Sequence, residues 1–431
     1  MLNKFFELER HGTTVRTEIL AGITTFLTMA YIIVVNPMIL GDAGMDTGSV
    51  FVATCISAAI GSALMGLYAN YPIAQAPGMG LNAFFTYGVV LGMVFPWQTA
   101  LGCVFISGIC FILISVLPIR EWIFNAIPRS LKMATSAGIG FFLAIIAMKN
   151  AGLVIDSPAT LVTLGDVGSW PVILAFVGLI LIAALDALKV PGAIVIGILA
   201  VTAIGIVLGV NDFQGVASMP PSIAPTFLAL DIGAALDMAL FGVIFAFLFT
   251  DLFDTAGTLV GVANKAGLLD KDGRLPRLRK ALLADSTATA VGAVFGTSSV
   301  TSYIESAAGV KAGGRTGLTA TVVAVLFLAA LFLSPLADTV PPYATAAALL
   351  FVACIMAQGM VDIDWSDVTE YVPAVILALT MPFSFSIADG LAAGFISYAA
   401  IKLASGRFAE AKPAVLVLAA IFIVKLAWLG G

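Results

Sequence analysis

Residues 296–309, GTSSVTSYIESAAG, interrupt a chain that otherwise reads as one membrane-spanning helix after another; residues 75–85, QAPGMGLNAFF, do so much earlier. In lipid every backbone N–H and C=O needs a partner. Non-helical backbone at membrane depth therefore survives only where protein buries it or where it lines a cavity. Two Gly- or Pro-interrupted segments in corresponding positions of two halves point to a carrier's substrate site. One of the pair holds Glu305, and a carboxylate is costly at the bilayer centre.

The rest of the composition agrees. Of 431 residues 61% are hydrophobic and 10% charged, with mean hydropathy +1.09, whereas a soluble domain is about 25% charged. The chain is a polytopic membrane protein. Its net charge of −5 lacks the basic stripe of a nucleic-acid binder. Cys55, Cys103, Cys110 and Cys354 lie in apolar runs and read as buried small hydrophobes rather than disulfides. The single His, His11, precedes the first span, so a His-based metal site or intramembrane His proton relay is excluded. No metal and no organic cofactor is expected. The first apolar run is too long for a signal-peptide core and is expected to stay as an anchor.

Lys4, Arg10 and Arg16 place the N-terminal tail in the cytoplasm by the positive-inside rule. Full spans are expected over residues 18–40, 49–69, 97–117, 131–148, 170–188, 191–208, 232–262, 281–295 and 318–333. Shorter apolar runs lie at 343–360, 372–385, 391–403 and 415–429, giving about 14 segments with two short ones near the end. The first span, with TTFLT and Asn36-Pro37, reads as bundle-facing. Residues 120–129 read as an amphipathic piece on the cytoplasmic interface. Residues 150–169 and 210–230 carry no Lys or Arg and are expected outside. The loop 265–280 carries six basic residues and is expected inside, as are Lys311 and Arg315. Lys402, Arg407 and Lys412 return the chain to the cytoplasm before its last run.

The two halves match in spacing: two long spans, an interrupted segment, then further spans. About seven segments per half makes the repeats inverted in the membrane. The short extended pieces of the two interrupted segments are then able to pair, with their half-helix N-termini directed into one cavity.

Glu305 stands near the start of the second half-helix, where it either receives a ligand's N–H groups or caps its own helix. Asp251 and Asp254, in FTDLFDTAGT, lie three apart on neighbouring positions of one helix face. Close carboxylates in a low-dielectric site tend to share a proton, as proton coupling needs; the alternative is a helix-end cap. Asn82 offers both donor and acceptor to a heterocycle edge, or an N-cap. Phe84, Phe85 and Tyr303 either stack on a planar ligand or simply pack. Asp285 is a proton site or pairs with a neighbour. Gly78, Gly80, Gly296 and Gly309 read as sites of close backbone approach. No GxxxxGK[ST] pattern occurs, which excludes a phosphate-binding loop of that type. No nucleophile–base or metal-ligand constellation points to an enzyme.

Several stretches together resemble the nucleobase–ascorbate transporter family, and within it the adenine/hypoxanthine/guanine permease branch. They are HGTTVRTEILAGITTFLTMAYIIVVNP from His11, APGMGLNAFF from Ala76, DLFDTAGTLVGVA from Asp251, GTSSVTSYIESAAGVKAGGRTGLTA from Gly296 and MPFSFSIADGLAAGFISY from Met381.

The resemblance implies an all-α fold of 14 segments in two inverted seven-segment repeats, with segments 3 and 10 each a short β-strand plus half-helix. Residues 1–17 are then the cytoplasmic tail. Residues 18–210 form the first repeat (core 18–117, gate 131–210) and residues 231–431 the second (core 231–334, gate 341–431). It implies a multi-pass protein of the bacterial inner membrane that carries a purine nucleobase with a proton as coupling ion, by elevator-like alternating access. Glu305 and Asp251 would be substrate-binding carboxylates, with Asp254 close by, Asn82 a polar contact, and Asp285 an essential acid. Uracil carriers of the family have a histidine in segment eight; this chain has none, so coupling rests on Asp251, Asp254, Asp285 and Glu305. Some hypoxanthine/guanine members have Asn at the position of Asp251, which leaves adenine and hypoxanthine/guanine both open, with a slight tilt towards adenine. The uracil branch implies a homodimer through the gate. The rival reading is an anion transporter or channel on the same scaffold, which the carboxylates at Glu305 and Asp251 oppose.

Overall fold

The computed structural model describes residues 2–117, 128–270 and 275–429. The piece expected at 120–129 falls mostly outside them, as do Lys271 and Arg274 of the basic loop. Among the described residues nine helices are long and apolar enough to cross a membrane. Four shorter apolar helices accompany them: Met79–Gly92, Ala193–Val207, Val368–Ser384 and Pro413–Val424.

Local chemistry sets the helix ends. Asp46 caps the helix Thr47–Leu64 by accepting from the Ser49 N–H at 2.8 Å, Thr316 caps Gly317–Ala330, and Asp367 caps Val368–Ser384. Gly296 ends Leu278–Phe295 with φ +97°, a left-handed conformation that glycine adopts freely. Gly309 answers a different need. A Cβ there would stand 2.0 Å from Thr25 Oγ1 and 2.6 Å from the Ala21 carbonyl oxygen, so the second half-helix meets the first span backbone to backbone.

The first span runs from Val15 to Asp42, longer than the 18–40 expected, and it is divided into Val15–Met29 and Ile32–Asp42. At the junction Ile33 N–H bonds Ala30 C=O and Val34 N–H bonds Tyr31 C=O, a tightened turn. Thr28, just before it, hydrogen-bonds back to the Thr24 and Thr25 carbonyls, which bends helices. Asn36 faces the bundle, donating to Thr54 at 2.7 Å and Thr297 at 2.8 Å.

Four short strands form two antiparallel pairs: β1 (Gln75–Pro77) with β4 (Val300–Ser302), and β2 (Val154–Ser157) with β3 (Leu161–Leu164). The first pair joins the two interrupted segments in the register Gln75↔Ser302, Ala76↔Thr301, Pro77↔Val300. Each strand thus satisfies the other's backbone, the arrangement the two interruptions require. The second pair is a hairpin within residues 150–169, which the charge pattern marked only as a loop.

Helices pack in two groups. Val15–Met29, Ile32–Asp42, Thr47–Leu64, Trp97–Val116, Leu278–Phe295 and Gly317–Ala330 surround the strand crossing. Arg129–Asn150 packs on Pro342–Ala357 and Val368–Ser384, with Trp170–Ala187, Ala193–Val207, Ile387–Ala404 and Pro413–Leu429 completing that side. The helix Phe241–Lys265 belongs to the first group and touches Arg129–Asn150 and Ile387–Ala404 of the second.

One reading changes, and two contacts emerge that the sequence did not mark. Cys55 and Cys103 are buried, but Cys110 is only half-buried and Cys354 exposed; all four are free. Cys354 lies on an outer helix face, where an apolar run meets lipid as readily as core. Lys402 has a structural role as well as a charge: its side chain is fully buried, with the ammonium 2.8 Å from Glu370 and 2.6 Å from Glu410. The N-terminal tail does not hang free, because Phe6 and Leu8 bury against Leu318.

Candidate functional site

The site grows from the strand crossing. Gly78 N–H bonds the Ser299 carbonyl at 2.9 Å and Tyr303 N–H bonds the Ala74 carbonyl at 3.0 Å, extending the pairing at both ends. Immediately after β1 the first half-helix begins at Met79, with Gly78 as its N-cap. It passes into a π-helical stretch, Phe84–Gly92, an irregularity that π segments frequently mark at functional positions. After β4 the second half-helix, Ser306–Lys311, has Glu305 at its N-cap position.

Glu305 does not cap that helix with its side chain. It accepts instead from the Tyr31 hydroxyl at 2.5 Å, reached because the junction in the first span brings Tyr31 against the second interrupted segment. Thr28 at the same junction donates to the Glu305 carbonyl at 3.4 Å. Tyr31 is buried and Glu305 half-exposed.

Asn82 is not an N-cap either. It lies in the second turn of its half-helix, buried. Its Oδ1 accepts from the Ser298 hydroxyl across the crossing, while Nδ2 has no partner among the described residues. An unpaired amide donor in a buried position costs roughly 1–3 kcal/mol and leaves Nδ2 able to donate to a ligand.

Asp251 and Asp254 part company. Asp251 is buried, accepts from Thr289 at 2.9 Å through Oδ2 and leaves Oδ1 unpartnered. Thr289 lies one side of β4 and donates also to the Val300 carbonyl at 2.8 Å. Asp254, three residues on, is exposed, as are Gly257 and Gly261 on the same helix face. A Cβ on either glycine would meet no atom within 4 Å, so an open strip runs from Asp254 towards Lys265.

Asp285 is tied to the strands. Its Oδ1 accepts from Gln75 Nε2 at 2.8 Å and from the Ser302 hydroxyl at 2.9 Å, and Gln75 Nε2 also reaches Ser302 Oγ at 3.2 Å. Gln75 and Ser302 are register partners, so one carboxylate clamps both strands. None of these four acids has a Lys or Arg partner among the described residues.

The aromatic residues are engaged in the protein. Tyr303 donates from its hydroxyl to the Pro77 carbonyl at 2.6 Å. Phe84 packs on Phe247 with ring centroids 5.0 Å apart, and Phe84 and Phe85 are fully buried. In this conformation all three build the walls of the crossing. The crossing thus gathers Glu305, Asp251, Asp285, Asn82 and Tyr303 around one pair of strands, with Asp254 on the open strip of a helix that packs against the second half-helix. Sequence reasoning missed Tyr31, Gln75 and Thr289. Gln75 opens an interrupted segment, a signal that was available; Tyr31 sits in an unbroken apolar run and Thr289 in an ordinary helix, with no local mark.

Residues 16–392 match the profile described as Permease family. Relatives span the chain nearly end to end. The adenine permease AdeP of Escherichia coli is 48% identical over 429 residues, covering 100% of this chain and 96% of AdeP. The guanine/hypoxanthine permease PbuO of Bacillus subtilis is 45% identical over 431 residues, covering 98% of this chain and 99% of PbuO. Among solved structures, the transmembrane domain of the cyanobacterial bicarbonate transporter BicA superposes with a TM-score of 0.65 at 15% identity, over 88% of this chain and 97% of that one. Murine Slc26a9, an anion transporter in its inward-facing state, superposes with a TM-score of 0.65 at 12% identity, over 91% and 69%. At these identities the two structures share the fold and no more. The match over residues 16–392 and two near-full-length relatives above 40% identity decide the family: the chain belongs to the nucleobase–ascorbate transporter family of permeases, and it is a transporter rather than an enzyme.

Proposed function

We propose that this permease takes up purine nucleobases together with protons. The observation that carries the reading is the cluster of carboxylates at the strand crossing, half-open at Glu305 and Asp254, with no basic side chain among the described residues paired to it. Such a cluster suits the N–H groups of a purine and a proton, and repels an anion. Relatives named for adenine and for guanine and hypoxanthine are similarly close, so the substrate class is the purine nucleobase. Glu305 is the substrate carboxylate, Asp251 and Asn82 the further polar contacts, and Phe84, Phe85 and Tyr303 the aromatic wall. Asp251, Asp254, Asp285 and Glu305 share the proton handling.

The fold then reads as 14 segments in two inverted repeats in the inner membrane, with the N-terminus in the cytoplasm. Among the described residues the nine long and four short apolar helices, Leu278–Phe295 and the segment holding β4 and Ser306–Lys311 make fifteen elements, so a count of 14 leaves one of the four elements after residue 341 outside the repeats. The helix group around the crossing is the core (18–117, 231–334), the other the gate (131–210, 341–431), and the core slides against the gate in alternating access. The open strip beside Asp254 leads to the basic cytoplasmic loop. The gate helices are the surface for a homodimer.

The test is uptake of radiolabelled adenine into purine-uptake-deficient cells, with adenine, hypoxanthine, guanine and uracil as competitors and a protonophore control. Purine-competed uptake abolished by the protonophore is expected, and loss of it in Glu305→Gln with the protein still in the membrane. Wild-type uptake by a well-expressed Glu305→Gln variant removes Glu305 from the site. No purine uptake by expressed protein returns the anion reading.

A further inference from the structure

We propose that Tyr31 determines which purines the site prefers, by holding Glu305 to a single substrate N–H. The inference rests on the reading of Glu305 as the substrate carboxylate. A carboxylate with both oxygens free accepts two parallel N–H bonds, as it does from arginine. Here the buried Tyr31 hydroxyl donates to Oε1 at 2.5 Å, taking one of that oxygen's acceptor positions and drawing on its charge. The ring is fixed behind it by the tightened turn at Ala30–Tyr31, and among the described residues the side-chain hydrogen bond to the carboxylate falls on Oε1, which makes Oε2 the more open oxygen for a ligand.

The consequence is chemical. Guanine presents two neighbouring donors on one edge, the ring N1–H and the 2-amino group. Hypoxanthine differs from it only in lacking that amino group. Against a free carboxylate guanine gains a second charge-assisted bond. Against the Tyr31–Glu305 pair the second donor has to share Oε1 with the phenol hydroxyl, and a bond to an oxygen whose charge is already drawn on is the weaker one. Tyr31 thus cancels the advantage of a two-donor edge and leaves single-donor edges, adenine's included, on equal terms.

The experiment compares guanine and hypoxanthine as competitors of bound radiolabelled adenine, on purified wild-type protein, Tyr31→Phe and Glu305→Gln, with size-exclusion profiles as the check on folding. In the wild type, guanine is expected to compete no better than hypoxanthine; a tenfold preference for guanine there overturns the proposal without any variant. Tyr31→Phe is expected to improve guanine relative to hypoxanthine by roughly tenfold, about 1.4 kcal/mol, the low end for a bond to a charged acceptor. A uniform loss for all purines, an unchanged ratio, or no guanine binding by either form overturns it. Glu305→Gln separates the two readings: unchanged adenine binding there sinks the site itself, whereas lost binding with an unchanged Tyr31→Phe ratio sinks only the role of Tyr31.

Discussion

Asp285 offers a test in which structure and transport come apart. Its Oδ1 receives Gln75 Nε2 at 2.8 Å and Ser302 Oγ at 2.9 Å, one donor from each strand of the crossing. Hydrogen bonds to an ionised acceptor contribute roughly 1.5–3 kcal/mol each. Asp285→Ala removes both and leaves the 3.2 Å bond between Gln75 and Ser302 as the remaining side-chain tie. It also relieves the burial of the carboxylate itself, so the expected net loss is about 3 kcal/mol. Asp285→Asn keeps an oxygen for both donors and forfeits only the charge, at a cost of about 1 kcal/mol. Thermal unfolding in detergent is therefore expected to rank wild type above Asn and Asn above Ala. Transport should divide differently. The Asn variant, with the crossing intact, is expected to bind and exchange adenine but to lose protonophore-sensitive accumulation. An Ala variant as stable as wild type would refute the clamp, and full accumulation by the Asn variant would take Asp285 out of proton coupling.

Two further predictions concern the far end of the second helix group. The buried Lys402 ammonium bonds Glu370 and Glu410, and Glu370 also accepts from Ser130 at 2.5 Å and Tyr398 at 3.0 Å. Removing one partner of a buried pair costs about 3–5 kcal/mol, and the partial exposure of the acids lowers this to about 2. Lys402→Met should melt earlier in detergent and Lys402→Met with Glu370→Gln should recover part of the loss; equal melting of all forms would contradict this. Asp367, at the cap of Val368–Ser384, is held down to about 2 by hydrogen bonds from the Thr369 side chain and backbone and from Arg407. Because its folded value lies below the ordinary carboxylate value of about 3.9, its contribution is present above about pH 4 and fades as pH falls towards 2. The stability gap between wild type and Asp367→Asn should close over that window, and a gap constant with pH would count against it.

Much of this protein was legible in its sequence because the bilayer is an unforgiving solvent. Apolar run lengths gave most spans, and two breaks with small and polar residues at membrane depth marked where backbone had to be satisfied by something other than a helix. That requirement led to β1 and β4, which do pair. The acids were legible for the same reason: Glu305, Asp251 and Asp285 stand where a charge without purpose would be costly. Partners were not legible. Tyr31 meets Glu305 from 274 residues away, and nothing in MAYII marks one tyrosine for that contact. Asp251 and Asp254 are helical neighbours, yet one turns to Thr289 and the other to open space, since three residues rotate a side chain far enough to change its surroundings. Lys402 read as a topology charge until folding set Glu370 and Glu410 around it. Hydropathy is a property of the chain and decides what must lie in the membrane. Hydrogen-bond partnership depends on which surfaces meet in three dimensions, and only the tertiary structure decides it.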